Sequence, residues 1–153
     1  MPRTKDYSIR EATEENFLEL VVFAKEFYLN SHIRDVHTFS PKRTGESIEN
    51  ALTREDFGDF VLEYEEEIVG VLFSYCSPSF FSNDTQALCL AWYIRKEHRS
   101  LKNATGLVSI YEGWAKRQGA CLMSIVNVNP NTPRAFERFG YKMNETIFSK
   151  EVG

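Results

Sequence analysis

Apolar positions along the chain change their period several times, and each change marks an element. Residues 7–10 (YSIR) alternate as a short strand does. Thr13, followed by Glu14, Glu15 and Asn16, is an N-cap with acidic residues in the first turn, which predicts a helix start. Phe17, Leu20, Val21, Ala24, Phe27 and Tyr28 then recur at helical spacing, so this helix buries one stripe and ends near Asn30. SHIRDVHTFSPKRTGES (31–47) has no period and reads as a functional loop before a weak second helix over 46–54. FVLEY (60–64), an acidic turn at 65–67 and IVGVLFSY (68–75) predict a hairpin, being rich in β-branched and aromatic residues.

SPSFFSND (77–84) breaks the pattern. QALCLAWYIR (86–95) is then a continuous apolar run of strand length, as suits a strand covered on both faces. Ala104, Leu107, Val108, Tyr111, Trp114 and Ala115 share one face of a further helix, with Gly119 as its stop. CLMSIVNV (121–128) is another buried strand, NPNTPRAFERFG (129–140) starts a short helix around Pro133, and ETIFSKEV (145–152) reads as a last strand. The order β, α, α, β, β, β, α, β, α, β predicts a mixed α/β fold with a strand, helix, strand unit in its second half.

Composition narrows the class. A chain of 153 residues is the size of one domain, 1–153, and no repeat or low-complexity stretch divides it. Hydrophobic residues make up 42%, with twelve Phe and seven Tyr, which excludes a disordered polar chain. A net charge of −4 and a pI near 5.5 argue against a nucleic-acid partner. Cys76, Cys89 and Cys121 are odd in number, show no CxxC spacing and sit in apolar segments, so they read as buried free thiols in a reducing cytoplasm. The start MPRTKD lacks a signal peptide, and the runs LVVFA (20–24) and VGVLF (69–73) are too short to span a bilayer, so the expectation is a cytoplasmic protein with no membrane partner. His32 and His37 have no further ligands at suitable spacing, and no metal is expected.

Chemistry is concentrated in two stretches. In HRSLKNATGL (98–107) a short basic loop with Arg99 and Lys102 runs straight into a helix, whose free N–H groups and dipole suit an anion, although solvated loop charges give the same pattern. IRKEHRSLKNATGL (94–107) is similar to the pyrophosphate loop of the GNAT superfamily of N-acetyltransferases, arginine or glutamine followed by x-x-Gly-x-Gly/Ala, with Arg99 opening it and Ala104 closing it. NPNTPRAFERFGY (129–141) resembles the same family's Asn-x-x-Ala…Tyr-Glu-Lys-x-Gly-Phe signature, matched or nearly matched at Asn129, Glu137, Gly140 and Tyr141. The order of elements agrees with that family over nearly the whole chain.

The resemblance implies a GNAT-like α/β fold. Its central sheet would be single, mixed, mostly antiparallel and twisted, flanked by helices, with the strands over 87–94 and 121–128 parallel and splayed. It implies acetyl-CoA as cofactor, its pantetheine between those strands against main-chain groups near Trp92, Tyr93 and Ile94. The N–H groups of the loop Arg99, Ser100, Leu101, Lys102, Asn103, Ala104 and Thr105 would chelate the pyrophosphate, and Asn129 and Phe136 would line the site. The implied reaction is direct attack of a primary amine, on a small molecule or a protein, on the thioester. For the side chains of Trp92 and Ile94 core packing is the competing reading, and for Asn129 it is a turn or cap.

The chain departs from the family at telling positions. Lys102 stands where the first loop glycine is usual, and Phe136 where many relatives carry the tyrosine that protonates the leaving thiolate. Losing a general acid costs ~100-fold to ~10,000-fold, yet a thiol of pKa about 8.5 leaves tolerably well without one. The strand over 87–94 contains no carboxylate, so the family's glutamate base is missing. No catalytic residue is assigned; Tyr93, Tyr141 and His98 are the candidates to stand in. The loop bearing His32, Arg34, Asp35, His37 and Glu46 is expected to shape the acceptor site. After Tyr141 there is room for one strand where larger relatives have two, and the resulting open sheet edge favours a homodimer or a protein partner. The alternative reading is a GNAT-fold interaction module without catalysis, in a host-modulating role, since compact chains of this style are also similar to acetyltransferase-like proteins of phage genomes.

Overall fold

The computed structural model describes residues 6–126 and 133–153. Its elements run β1 (Tyr7–Glu11), α1 (Phe17–Leu29), α2 (Pro41–Thr53), β2 (Phe57–Tyr64), β3 (Glu67–Pro78), β4 (Thr85–Ile94), α3 (Leu101–Arg117), β5 (Ala120–Ile125) and α4 (Pro133–Arg138). Short 3-10 turns precede α1, follow it, and link β4 to α3. The five strands form one sheet in sequence order, antiparallel from β1 to β4, with β4 and β5 parallel. Because a parallel pair needs a crossover, α3 lies across the sheet between them.

The continuous apolar run of β2 is explained by cover on both faces. Phe60 and Leu62 point toward α3 and join Leu72, Cys89, Leu107, Tyr111 and Trp114. Val61 points the other way, where Leu20 and Phe23 of α1 and Ile48 of α2 meet Val71. Gly106 lets α3 approach β1 closely: a Cβ there would come within 2.3 Å of the Ile9 side chain. Gly119, at φ +82°, ends the same helix as the sequence suggested.

Several expectations are corrected. The second helix begins at Pro41 rather than 46, because Ser40 caps it by accepting from the Arg43 amide at 3.1 Å and proline sits in its first turn. Cys121 is exposed, since β5 is an edge strand, while Cys76 and Cys89 are buried. The last strand is absent: residues 141–153 are neither helix nor strand, for a strand needs an edge to pair with and this segment meets none. β5 itself ends at Ile125, and residues 127 and 128 of the expected strand lie outside the described residues, as does Asn129.

Candidate functional site

The β4/β5 ladder runs from Thr85↔Ala120 to Cys89↔Ile125 and closes with the Val126 amide donating to the Cys89 carbonyl at 2.9 Å. β4 continues to Ile94 with β3 as its partner. Leu90 falls between the pairs Ser74↔Cys89 and Phe73↔Ala91 and has no partner on β3, so a bulge sits next to the last described pair of the parallel ladder. Among the described residues, the backbone groups of Ala91 to Ile94 that point away from β3 pair with no strand. The ring of Phe136, from α4, stands edge-on to Trp92 with centroids 5.9 Å apart, which places an apolar wall beside the opening.

The loop after β4 is built by its own side chains. Arg99 donates from Nε to the Ile94 carbonyl at 2.7 Å, and its guanidinium lies 5.3 Å from the centre of the Tyr93 ring. Ser100 caps α3 by accepting from the Asn103 amide at 3.1 Å, while the Asn103 side chain, only 4% exposed, donates to the His98 carbonyl at 2.7 Å. Ala104 bonds to the Ser100 carbonyl, and Thr105 turns its hydroxyl back to that of Leu101. The expected cradle of successive amides from Ser100 to Thr105 is thus shorter. The Asn103 amide is taken by the cap and those of Ala104 and Thr105 by the helix, leaving Ser100, Leu101 and Lys102 without an acceptor among the described residues. Leu101 and Lys102 are exposed. Neither Arg99 nor Lys102 forms an ion pair with a described residue, whereas Arg95 at the same end of β4 binds Glu26 of α1 at 3.1 Å.

The candidate catalytic groups separate. His98 faces β1 and β2, its Nδ1 2.9 Å from the Tyr7 hydroxyl and its ring against Tyr64, on the far side of β3 from the opening. Tyr93 packs against Phe23 beneath Arg99. Tyr141 is half-buried beside Phe136; its hydroxyl has no partner, and burial with Glu112 nearby pushes its pKa up, so it stays protonated. An open cleft of about 650 Å³, lined by Tyr7, Ile9, Leu101, Lys102, Thr105 and Gly106, lies between β1 and the first turns of α3, at the opposite edge of the sheet from the β4/β5 pair. The Leu90 bulge and the Glu26–Arg95 pair were not found in the sequence, because both depend on pairing between distant segments.

No curated protein matches the chain. Solved structures do, over nearly its full length. The aminoglycoside N-acetyltransferase AAC(6')-Iy, in complex with a bisubstrate analogue, CoA-S-monomethyl-acetylneamine, superposes with a TM-score of 0.80 at 11% identity, covering 97% of this chain and 99% of that one. A transcriptional regulator from Bacillus halodurans C-125 gives 0.79 at 20% identity, with 96% and 100% covered. The aminoglycoside acetyltransferase meta-AAC0020, from an uncultured soil metagenomic sample and in complex with sisomicin, gives 0.72 at 14% identity, with 96% and 97% covered. Likeness at these identities is likeness of fold. Residues 17–141, which include the parallel pair β4 and β5 and the capped loop, match the acetyltransferase (GNAT) family, and the chain belongs to that family.

Proposed function

We propose that the chain transfers the acetyl group of acetyl-CoA to a primary amine, on a small molecule or a protein, by direct attack of the amine. The observation that carries this reading is the capped start of α3 at the end of β4, where the cations Arg99 and Lys102 have no ion partner and the Leu101 and Lys102 amides no acceptor among the described residues. The residues fit the cofactor. The free amides of Leu101 and Lys102, the helix dipole and the charges of Arg99 and Lys102 suit a pyrophosphate. The open edge of β4 suits a chain of amides that pairs as a strand would.

Bound acetyl-CoA supplies an acetyl group already activated as a thioester. A backbone N–H on the free edge of β4 polarises a carbonyl laid against it. Trp92 and Phe136 form the apolar wall, and Phe136 has no proton to give. Glu26 is held by Arg95 and β4 carries no carboxylate, so the amine arrives already neutral and the thiolate leaves unaided.

Calorimetric titration with acetyl-CoA and then CoA, repeated on Arg99→Glu and Lys102→Glu, tests the site. Lys102 is exposed and holds no other group in place, so its variant separates a lost contact from a damaged loop. Thiol release with a panel of amines follows, including sisomicin, simple polyamines and a lysine peptide. Binding weakened by both variants, with thiol release for one amine class, supports transfer. A second reading, an interaction module, is favoured by the missing hydroxyl at Phe136 and by the exposed ring pair Phe80 and Phe81 between β3 and β4. No heat and no thermal shift at millimolar cofactor selects it.

A further inference from the structure

Asn103 lies in the first turn of α3 and is 4% exposed, so a polar side chain is enclosed at a place where burial is unfavourable unless its groups are bonded. What it bonds explains the choice. The side-chain nitrogen reaches back across the loop and donates to the His98 carbonyl at 2.7 Å, while the Asn103 amide donates to Ser100 Oγ at 3.1 Å. The His98 ring continues the line, with Nδ1 2.9 Å from the Tyr7 hydroxyl and the ring against Tyr7 and Tyr64. A chain of contacts therefore runs from β1 and β2 through His98 into the start of α3.

Apolar packing does not replace this chain. Gly106 sets α3 close on Ile9 about one turn further along, but the open cleft lies between β1 and the helix at Leu101 and Lys102. On its other side the loop is held to β4 by the bond from Arg99 to the Ile94 carbonyl. Between these two ties lie the Ser100, Leu101 and Lys102 amides, which have no acceptor among the described residues. Free N–H groups hold one anion together only while they converge on it, so the ties that fix residues 98–103 also fix how well an anion is held.

We propose that Asn103 is a positioning residue for the cofactor: through the His98 carbonyl it sets the three free amides on the pyrophosphate, and Tyr7 sets His98 in turn. Neither Asn103 nor Tyr7 gives a side-chain contact to the cofactor, and His98 is a link in the chain rather than an acid or base. The inference rests on the acetyl-CoA reading above. It adds that cofactor affinity depends on β1, at the opposite edge of the sheet from β5.

Asn103→Leu keeps a branched side chain and removes the donor, and Tyr7→Phe keeps the ring and removes the hydroxyl. Acetyl-CoA is titrated into the parent chain, each variant and the double variant, with a thermal melt of each. The dissociation constant should rise about tenfold in Asn103→Leu and about threefold in Tyr7→Phe. In the double variant it should rise about tenfold rather than about thirtyfold, because both side chains act through His98. A purely structural role would lower the melting temperature and leave the affinity of the folded chain alone. Tyr7 is 39% exposed, so its variant carries the test by itself if Asn103→Leu does not fold. A parent chain that binds no acetyl-CoA removes the acetyl-CoA reading and this inference with it. Binding by the parent that neither variant weakens, or effects that multiply in the double variant, overturns this inference alone.

Discussion

The guanidinium of Arg99 reaches back across Tyr93 and ties the start of α3 to the Ile94 carbonyl at the end of β4. One side chain thus ties the end of the strand to the helix start on which the proposed site depends, while its outer nitrogens form no ion pair with a described residue. Arg99→Lys keeps the charge and loses the planar fork. The expected result is a KM for acetyl-CoA raised by roughly fivefold, about 1 kcal/mol, with kcat little changed. Lys102→Ala should weaken binding by a similar factor, and its effect should fade as salt rises. Steady-state kinetics at two ionic strengths checks both.

Phe136 stands beside Trp92 without a hydroxyl. If the thiolate leaves unaided, Phe136→Tyr supplies a donor and should raise kcat by about 100-fold, the low end of what general acids contribute. Without a base in the site, kcat/KM for the parent chain should climb with pH toward the pKa of the free amine. A plateau near pH 7 would instead reveal an enzyme base.

The Tyr141 hydroxyl is buried without a partner. Tyr141→Phe removes that unsatisfied group and should leave stability unchanged or raise it by about 1 kcal/mol, with kcat unaltered. A large fall in kcat on a folded variant would make Tyr141 the proton donor.

Asp59 is buried on β2 with one carboxyl oxygen unpartnered, and burial together with the nearby Glu11 carboxylate raises its pKa to about 7. In the unfolded chain this group titrates near 3.9. As pH rises from about 4 to 7 the unfolded state loses the proton first, so stability falls through that window and levels off above it, by up to about 4 kcal/mol. Asp59→Asn should flatten the decline. The variant should melt well above the parent at pH 8 and close to it at pH 4.5.

The β2–β3 hairpin turns on Glu65 and Glu66, with φ of 51° and 68°, a conformation that side chains adopt at a cost. Glu66→Gly should raise stability by about 1 kcal/mol, or roughly 3 °C at this chain length. Thermal melts at one pH decide it.

The order of elements was legible because short-range periods carry it. The stripe from Phe17 to Tyr28 and the apolar run ending at Ile94 each mark an element whatever it later packs against. Ser40 followed by Pro41 was a legible start for α2 that the loop-like composition around it hid. A strand was expected over 145–152 and none forms there, because propensity cannot supply the edge that such a segment must pair with.

The amino-acid sequence by itself determined the α/β order, the basic loop at Arg99 and Lys102, the missing hydroxyl at Phe136 and the resemblance that named the family. Tertiary structure decided the rest. Placement of the bulge at Leu90, the parallel pairing of β4 with β5, the Arg99 tether, the loss of the Asn103 amide to the cap and the raised pKa of Asp59 all depend on which groups meet in the folded chain. Local periodicity records which way a side chain faces. It does not record the register between strands far apart in the chain, and register is what sets the bulge at Leu90.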